Sequence, residues 1–511
     1  MTGDPARAAN DAVEPGNHPH ATGILRILVA ATFVVILNET IMVNAIPRLM
    51  HEFAVDARAA QWLSTAFMLT LAVVIPMTGW FLQRVTTRVA FTAALSLFLA
   101  GTVLATAAWT FPVLLVARVV QASGTAVMMP LLMTTLLTVV PPHRRGAVMG
   151  NVTLAIAVAP ALGPAVSGLL LQLGSWRFIF AVVVPIAAAM LVVGLRMLVN
   201  VGSPERSRLD VVSILLAALG FGGFVYGLSQ VGADPSAGGL PAAPTIAGGL
   251  VLVAAFAWRQ LRLQRSGTPL LDLRTLGFRT FTLTLTLMCL SFMALMGVMI
   301  TLPMFLQSVH GMSPLATGLL LMPGGLVMGL LGPKVGSLFD RYGARALVVP
   351  GATLMLGALV GFATIGTGTP AWWLLTLHVL MSVALALIFT PVFTAGLAVL
   401  PAHLYAHGSA VLSTLQQVAA AIGTAVVVTI LSVRAASLAG SGVDPVSALS
   451  GGIQWGMGFG AVIGVGVLVL AFFVPSGPPV DADNQIDQAD QADQAEQTDH
   501  TDAPQDEEVR A

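Results

Sequence analysis

Gly79-Trp-Phe-Leu-Gln-Arg84-Val-Thr-Thr-Arg88 recurs in altered form as Gly336-Ser-Leu-Phe-Asp340-Arg341-Tyr-Gly343-Ala-Arg345. Both decapeptides have Gly first, Arg sixth and Arg tenth. Each follows an apolar run, the second and the tenth along the chain. One motif at corresponding loops of two halves implies two related bundles of helices.

Outward from these loops the chain repeats apolar stretches of about 20 residues, each long enough to cross a hydrocarbon core of about 30 Å. They lie at roughly 24–46, 60–82, 89–109, 112–139, 146–171, 177–199, 211–231, 245–264, 279–306, 314–335, 345–366, 371–400, 408–433 and 454–474. With the N-terminus in the cytoplasm, inside segments hold eighteen basic residues and outside loops only Arg48, Arg58, Arg177 and Arg434; Arg118 falls within a span. This bias is the positive-inside rule, and miscounting one span would scramble it. An even number of spans puts both termini inside.

Composition agrees. The chain is 56% hydrophobic and 9% charged, whereas a soluble chain carries about a quarter charged residues. The net charge of zero conceals two parts. Residues 480–511 carry eleven acidic residues and Arg510, whereas residues 21–479 carry 21 basic and 9 acidic ones, so the membrane body is 21 − 9 = +12. The tail is low in complexity and reads as disordered. Cys289 is the sole cysteine, which excludes an intrachain disulfide. The polar first 22 residues, with three acidic ones, do not read as a cleavable signal. The sole lysine, Lys334, precedes Val335, so the Lys-Ser/Thr pair of a Walker loop is missing and ATP-driven pumping is excluded. No Gly-x-Ser-x-Gly and no clustered metal-ligand spacing argues for an enzyme; no cofactor, metal or nucleic acid is expected.

Further motifs carry a family resemblance. They are Leu37-Asn-Glu-Thr-Ile-Met-Val-Asn-Ala-Ile-Pro47, Gln61-Trp-Leu-Ser-Thr-Ala-Phe-Met-Leu69, Arg118-Val-Val-Gln-Ala-Ser-Gly124, Ala159-Pro-Ala-Leu-Gly163-Pro164-Ala-Val-Ser-Gly168, Leu302-Pro-Met-Phe-Leu-Gln307 and Gly408-Ser-Ala-Val-Leu-Ser-Thr-Leu-Gln416-Gln417. In order and spacing, over about residues 24–475, the chain resembles the major facilitator superfamily, and within it the fourteen-span drug:proton antiporters of EmrB/QacA type, nearest the branch of lincomycin exporters. The resemblance implies an all-α membrane fold: an N-terminal cytoplasmic segment (1–23), a six-helix bundle (24–200), an inserted helix pair with a cytoplasmic linker (201–278), a second six-helix bundle (279–475) and the acidic cytoplasmic tail (476–511). It implies a monomer in the bacterial inner membrane exporting small amphiphilic molecules against protons. Facilitator-fold uptake or symport, or a non-transport membrane protein, are the alternatives. The chain departs from the family where Gln83 replaces the usual acid of the first loop motif, and where the acid of span one is Glu39 rather than residue 38, which is Asn38.

Glu39 reads as the only carboxylate deep in a span, where a charge costs roughly 2.5–3.5 kcal/mol even on the lowest scales; it suits proton coupling or, alternatively, a fixed hydrogen bond. Arg118 is the matching buried cation, either assisting proton transfer or holding backbone carbonyls. Pro160, Gly163, Pro164 and Gly168 form the antiporter motif, a kinked and thin helix face. Gly79, Arg84, Arg88, Gly336, Asp340, Arg341 and Arg345 read as a cytoplasmic gate making bonds to helix C-termini and neighbouring carboxylates, or as charges serving topology alone. Cavity candidates are Asn38, Met42, Gln121, Met128, Met129, Phe305, Gln307, Phe393, Gln416 and Gln417, since Met and Phe suit varied apolar ligands. His378 lies in span twelve. His403 and His407 flank the loop before span thirteen and lack a third ligand for a metal.

Overall fold

The computed structural model describes residues 21–42, 45–55, 57–201, 210–231, 240–266 and 269–476. Hydrocarbon offers no partner to a free N–H or C=O, so each apolar stretch closes its own hydrogen bonds as a helix. The long helices are α1 (Ala21–Ile41), α2 (Ala57–Arg84), α3 (Thr87–Thr106), α4 (Phe111–Val139), α5 (Arg145–Leu173), α6 (Arg177–Met197) and α7 (Val211–Ser229). They continue as α8 (Ala242–Leu263), α9 (Arg279–Ser308), α10 (Pro314–Tyr342), α11 (Arg345–Ala363), α12 (Ala371–Ala398), α13 (Tyr405–Gly440) and α14 (Pro445–Ala471). Among the described residues, thirteen of these helices are long and apolar enough to cross a membrane. The fourteenth is α5, with 29 residues. The N-terminal segment as far as residue 20 and the acidic tail from residue 477 lie outside the described residues.

The first span corrects the expected boundary. α1 ends at Ile41, and a separate short helix, Ile46–Phe53, follows with Pro47 in its first turn. This helix is fastened to the α5–α6 corner. Arg48 donates to the carbonyls of Leu171 at 2.5 Å and Gly174 at 2.7 Å, which are otherwise orphaned at the end of α5. Glu52 accepts from Trp176 Nε1 at 2.7 Å and pairs with Arg177 at 2.6 Å. The Arg177 hydrogen bond holds the Glu52 carboxyl below its ordinary range.

The helix ends form two faces. One collects the two decapeptide loops and most arginines and is called the basic end below. α1–α6 and α9–α14 form the two bundles, and these meet along two seams, α5 against α10 and α2 against α13. α7 packs on α8, on α2 and on α13, so the inserted pair straddles the α2–α13 seam. Among those thirteen helices α4 is the most buried and α8 the least, with Val251, Trp258 and Leu261 left for lipid.

Polar pins position the inserted pair. Asp210, at the start of α7, accepts from Arg259 Nε at 2.7 Å and from its terminal nitrogen at 2.9 Å. Gln260 is fully buried; its amide donates to Ser213 at 2.7 Å and its oxygen accepts from the N–H of Leu270 at 2.8 Å and of Leu271 at 3.2 Å. The Arg259 bonds lower Asp210 from 3.8 to about 2. A depressed folded value means stability that is full above the unfolded pKa and is lost as pH falls through the folded one. The loss therefore falls between about pH 4 and pH 2, and amounts to at most about 2.5 kcal/mol before solvent screening. Thermal unfolding in detergent followed across this window is expected to show a pH-dependent component in the wild type that is missing from Asp210→Asn.

Candidate functional site

A chain of buried polar side chains crosses the first bundle away from the basic end. Asn38 of α1 accepts from Gln121 Nε2 at 3.2 Å, and the same nitrogen donates to Thr102 of α3 at 2.9 Å. Gln121 Oε1 in turn accepts from Arg118 at 3.0 Å, while Arg118 Nε reaches the Leu63 carbonyl of α2 at 3.5 Å. The guanidinium lies over the Phe67 ring at 4.1 Å, a contact strengthened where water is excluded. Gly101 and Gly124 make this geometry feasible, because a methyl on Gly101 would sit 2.6 Å from the backbone nitrogen of Gln121 and one on Gly124 would run into α3. Arg118, Asn38 and Gln121 are all essentially inaccessible.

Glu39 is half-buried and occupies the last turn of α1, nearer the end of the helix than its sequence position in an apolar run suggested. It makes no ion pair with Arg118 among the described residues, but the two charges act on each other through space. Its neighbour Thr40 donates to the Leu37 carbonyl at 2.9 Å. A methyl on Gly163 would lie 2.5 Å from Thr40 Oγ1, so the α5 motif touches α1 one residue from Glu39. Ser167 Oγ and Asn38 Nδ2 are buried without a hydrogen-bond partner among the described residues. Pro160 is half-buried, and the side chain of Pro164 lies outside the described residues. A methyl on Gly168 would make an ordinary contact with Leu315 at 3.9 Å.

The basic end holds the hydrogen bonds that join the two bundles. Asp340 of α10 accepts from Gly146 N–H and Ala147 N–H, both at 2.8 Å, and so caps the free first turn of α5. A carboxylate is favoured at that positive end of the helix dipole. Gln83 of α2 donates to the His403 carbonyl at 2.8 Å, and its Oε1 lies 2.9 Å from His407 Nε2 at the start of α13. Arg145 reaches Tyr405 Oη at 3.3 Å, and Thr153 and Thr390 share a bond of 2.8 Å. Glycine allows the α5–α10 crossing. Methyl groups on Gly146, Gly150, Gly332 or Gly336 would each overlap backbone of the facing helix, and Gly79 lies under the His407 ring.

The arginines of the two decapeptides make different contacts. Arg88 donates to the Leu195 carbonyl at the end of α6, as expected of a helix C-terminus. Arg345 reaches Ser476 at 3.3 Å. Arg84 lies over Trp80 at 5.5 Å and Arg341 over Tyr342 at 5.2 Å. Among the described residues Arg88, Arg341 and Arg345 show no ion pair with a carboxylate, and Asp340 is taken up by the α5 backbone. Of the cavity candidates, Met42, Met128 and Phe393 are buried, Met129, Gln416 and Gln417 are half-buried and Gln307 is exposed. Phe305 is wholly buried against His310, with ring centres 5.1 Å apart.

The sequence signature of the Major Facilitator Superfamily matches residues 28–424. The chain belongs to the Major Facilitator Superfamily. Within it this facilitator falls in the drug-exporter branch. It is 38% identical to the lincomycin resistance protein LmrB of Listeria monocytogenes over 88% of this chain and 96% of that one. It is 36% identical to LmrB of Bacillus subtilis, covering 88% and 95%. A multidrug resistance protein B homolog of Mycobacterium tuberculosis is 30% identical, covering 80% and 76%. The fold is shared with the proton:xylose symporter XylE, at a TM-score of 0.64 and 15% identity over 90% of this chain and 97% of that one. It is also shared with the human organic anion transporter MFSD10, at 0.63 and 14% over 89% and 100%. The facilitator is a multi-pass membrane transporter and not an enzyme.

Two features of the facilitator escaped sequence reasoning. Gln83 stood out only as a missing acid, yet it is the counterpart of Asp340, reaching the opposite bundle from the other decapeptide. Its targets carried a signal: Pro141-Pro-His143 before α5 is repeated as Pro401-Ala-His403 before α13, each opening a single tight turn. Thr102 and Phe67, which complete the Arg118 network, have no such mark.

Proposed function

We propose that this facilitator is a proton-coupled exporter of small amphiphilic molecules in the bacterial plasma membrane, working as a monomer by alternating access. Glu39 exchanges its proton for cargo, and Arg118 tunes it through space while being held by Gln121 and the Leu63 carbonyl. The observation that carries the reading is a half-buried carboxylate beside Asn38, which Gln121 joins to a buried arginine, and one residue from the Gly163 contact where α5 meets α1. A positive-inside topology makes the basic end cytoplasmic and both termini cytoplasmic. On that assignment the Asp340 and Gln83 bonds latch the cytoplasmic side, and the conformation is the one from which cargo leaves outward. Names of relatives point to lincomycin and mixed drugs as cargo classes. Domain limits follow the two bundles, with 201–278 as insert and linker. In energised inside-out vesicles, ethidium or lincomycin is expected to accumulate only while the proton gradient stands. Accumulation that survives collapse of the gradient would refute the proposal.

A further inference from the structure

The two bundles repeat more than the decapeptide. Leu114-Leu115-Val-Ala-Arg118-Val119 in α4 is matched by Leu374-Leu375-Thr-Leu-His378-Val379 in α12. α4 starts at Phe111 and α12 at Ala371, so Arg118 and His378 are each the eighth residue of their helix. The contacts repeat as well. Arg118 Nε reaches the Leu63 carbonyl of α2, and His378 Nε2 lies 3.1 Å from the Leu321 carbonyl of α10. α2 and α10 are the helices that end in the two decapeptides. Where Phe67 supports the guanidinium, Gly324, directly after Pro323 in α10, makes room for the imidazole: a methyl there would come within 2.5 Å of Nε2.

The carbonyl contact makes Nε2 the donor, and in the neutral ring Nδ1 is then an acceptor. Nδ1 is buried and unpaired among the described residues. We infer that His378 is a second proton-binding site, the second bundle's counterpart of the Glu39–Arg118 site. The inference rests on the proposed proton-coupled export.

A protonated ring has two N–H donors, and Leu321 can take only one. The other lacks an acceptor in this conformation, so proton binding favours an arrangement in which α10 and α12 admit one. The helices packed against α12 present no competing charge at this level. Arg145 on α5, Arg279 on α9, Lys334, Asp340 and Arg341 on α10 and Arg345 on α11 all belong to the basic end. Lys334 is the nearest of them along α10 and lies about 20 Å from Leu321 at 1.5 Å per residue. On α13, His407 is bound to Gln83 at the basic end and Arg434 stacks on Trp455 at 5.1 Å. Cys289 of α9, and Tyr342 of α10 and Tyr405 of α13 at the basic end, are the remaining titratable groups among the described residues of these helices.

The test uses full-length protein in liposomes with ethidium as the transported probe. At static head the slope of log ethidium ratio against pH difference gives protons per ethidium. His378→Gln retains an N–H donor for the Leu321 carbonyl but cannot take up a proton. Its slope is expected to be one unit lower than that of the wild type. In parallel, nitrogen magnetic resonance of histidine-labelled wild type is expected to show one imidazole, missing from the spectrum of His378→Gln, that gains a second proton within the transporting pH range. An unchanged slope, or a ring that stays neutral throughout, overturns the inference. A wild-type slope of zero would instead sink proton-coupled export itself.

Discussion

Glu39→Gln is expected to remove the part of uphill efflux that one proton drives, while the protein still folds and binds cargo. The amide keeps the size and the hydrogen-bonding reach of the carboxyl but cannot take up a proton. One charge crossing 100 mV yields about 2.3 kcal/mol, equivalent to about a 50-fold concentration ratio. The accumulation reached is expected to fall by that factor in the variant, with downhill exchange retained. The affinity for a cationic probe such as ethidium is expected to fall as well, since the carboxylate would be its counter-charge, and pH is expected to lose its effect on binding. Equilibrium binding and flux measured on one preparation separate these effects. Preserved 50-fold accumulation would mean that the proton is carried elsewhere.

Gly336→Leu is expected to have the second-largest effect. Gly336 faces the Gly146 carbonyl with no room for a methyl, so a branched side chain must push α10 from α5. Overpacking costs about 1–3 kcal/mol, borne only by the state closed at the basic end. The same displacement strips Asp340 from Gly146 and Ala147. The population of the closed state is then expected to drop about 5–150-fold relative to the open one. Spin labels on the exposed Asn151 and Ser337, in a protein lacking Cys289, would read this as a lengthened distance across the seam. Asp340→Asn is expected to shift the distance in the same direction by less, since it removes charge and not close packing. An unaltered distance distribution for Gly336→Leu would show that the seam does not gate.

Much of the architecture could be read before any coordinates, because hydrocarbon forces each apolar run into a helix and the repeated decapeptide marks the two halves. Gly336 and Asp340 stood out for that reason, and both lie at the α5–α10 contact. Positions set by tertiary contact were not. Glu39 lies in the last turn of α1 because that helix ends at Ile41 and a second one, fastened by Arg48 and Glu52, starts at Ile46, and neither fastening is local in sequence. Gln83 reads as a lost acid until α13 is seen beside it. Phe305 has the composition of a ligand contact but is used up by packing on His310. The placement of α7 across the α2–α13 seam depends on which helices meet, and hydropathy carries no information on that.

The most direct test is the number of protons released when ethidium binds to purified protein in weakly buffered detergent, below the pH at which Glu39 deprotonates. The account predicts that Glu39→Gln releases one proton fewer per ethidium bound than the wild type. Equal release from the two proteins would contradict it.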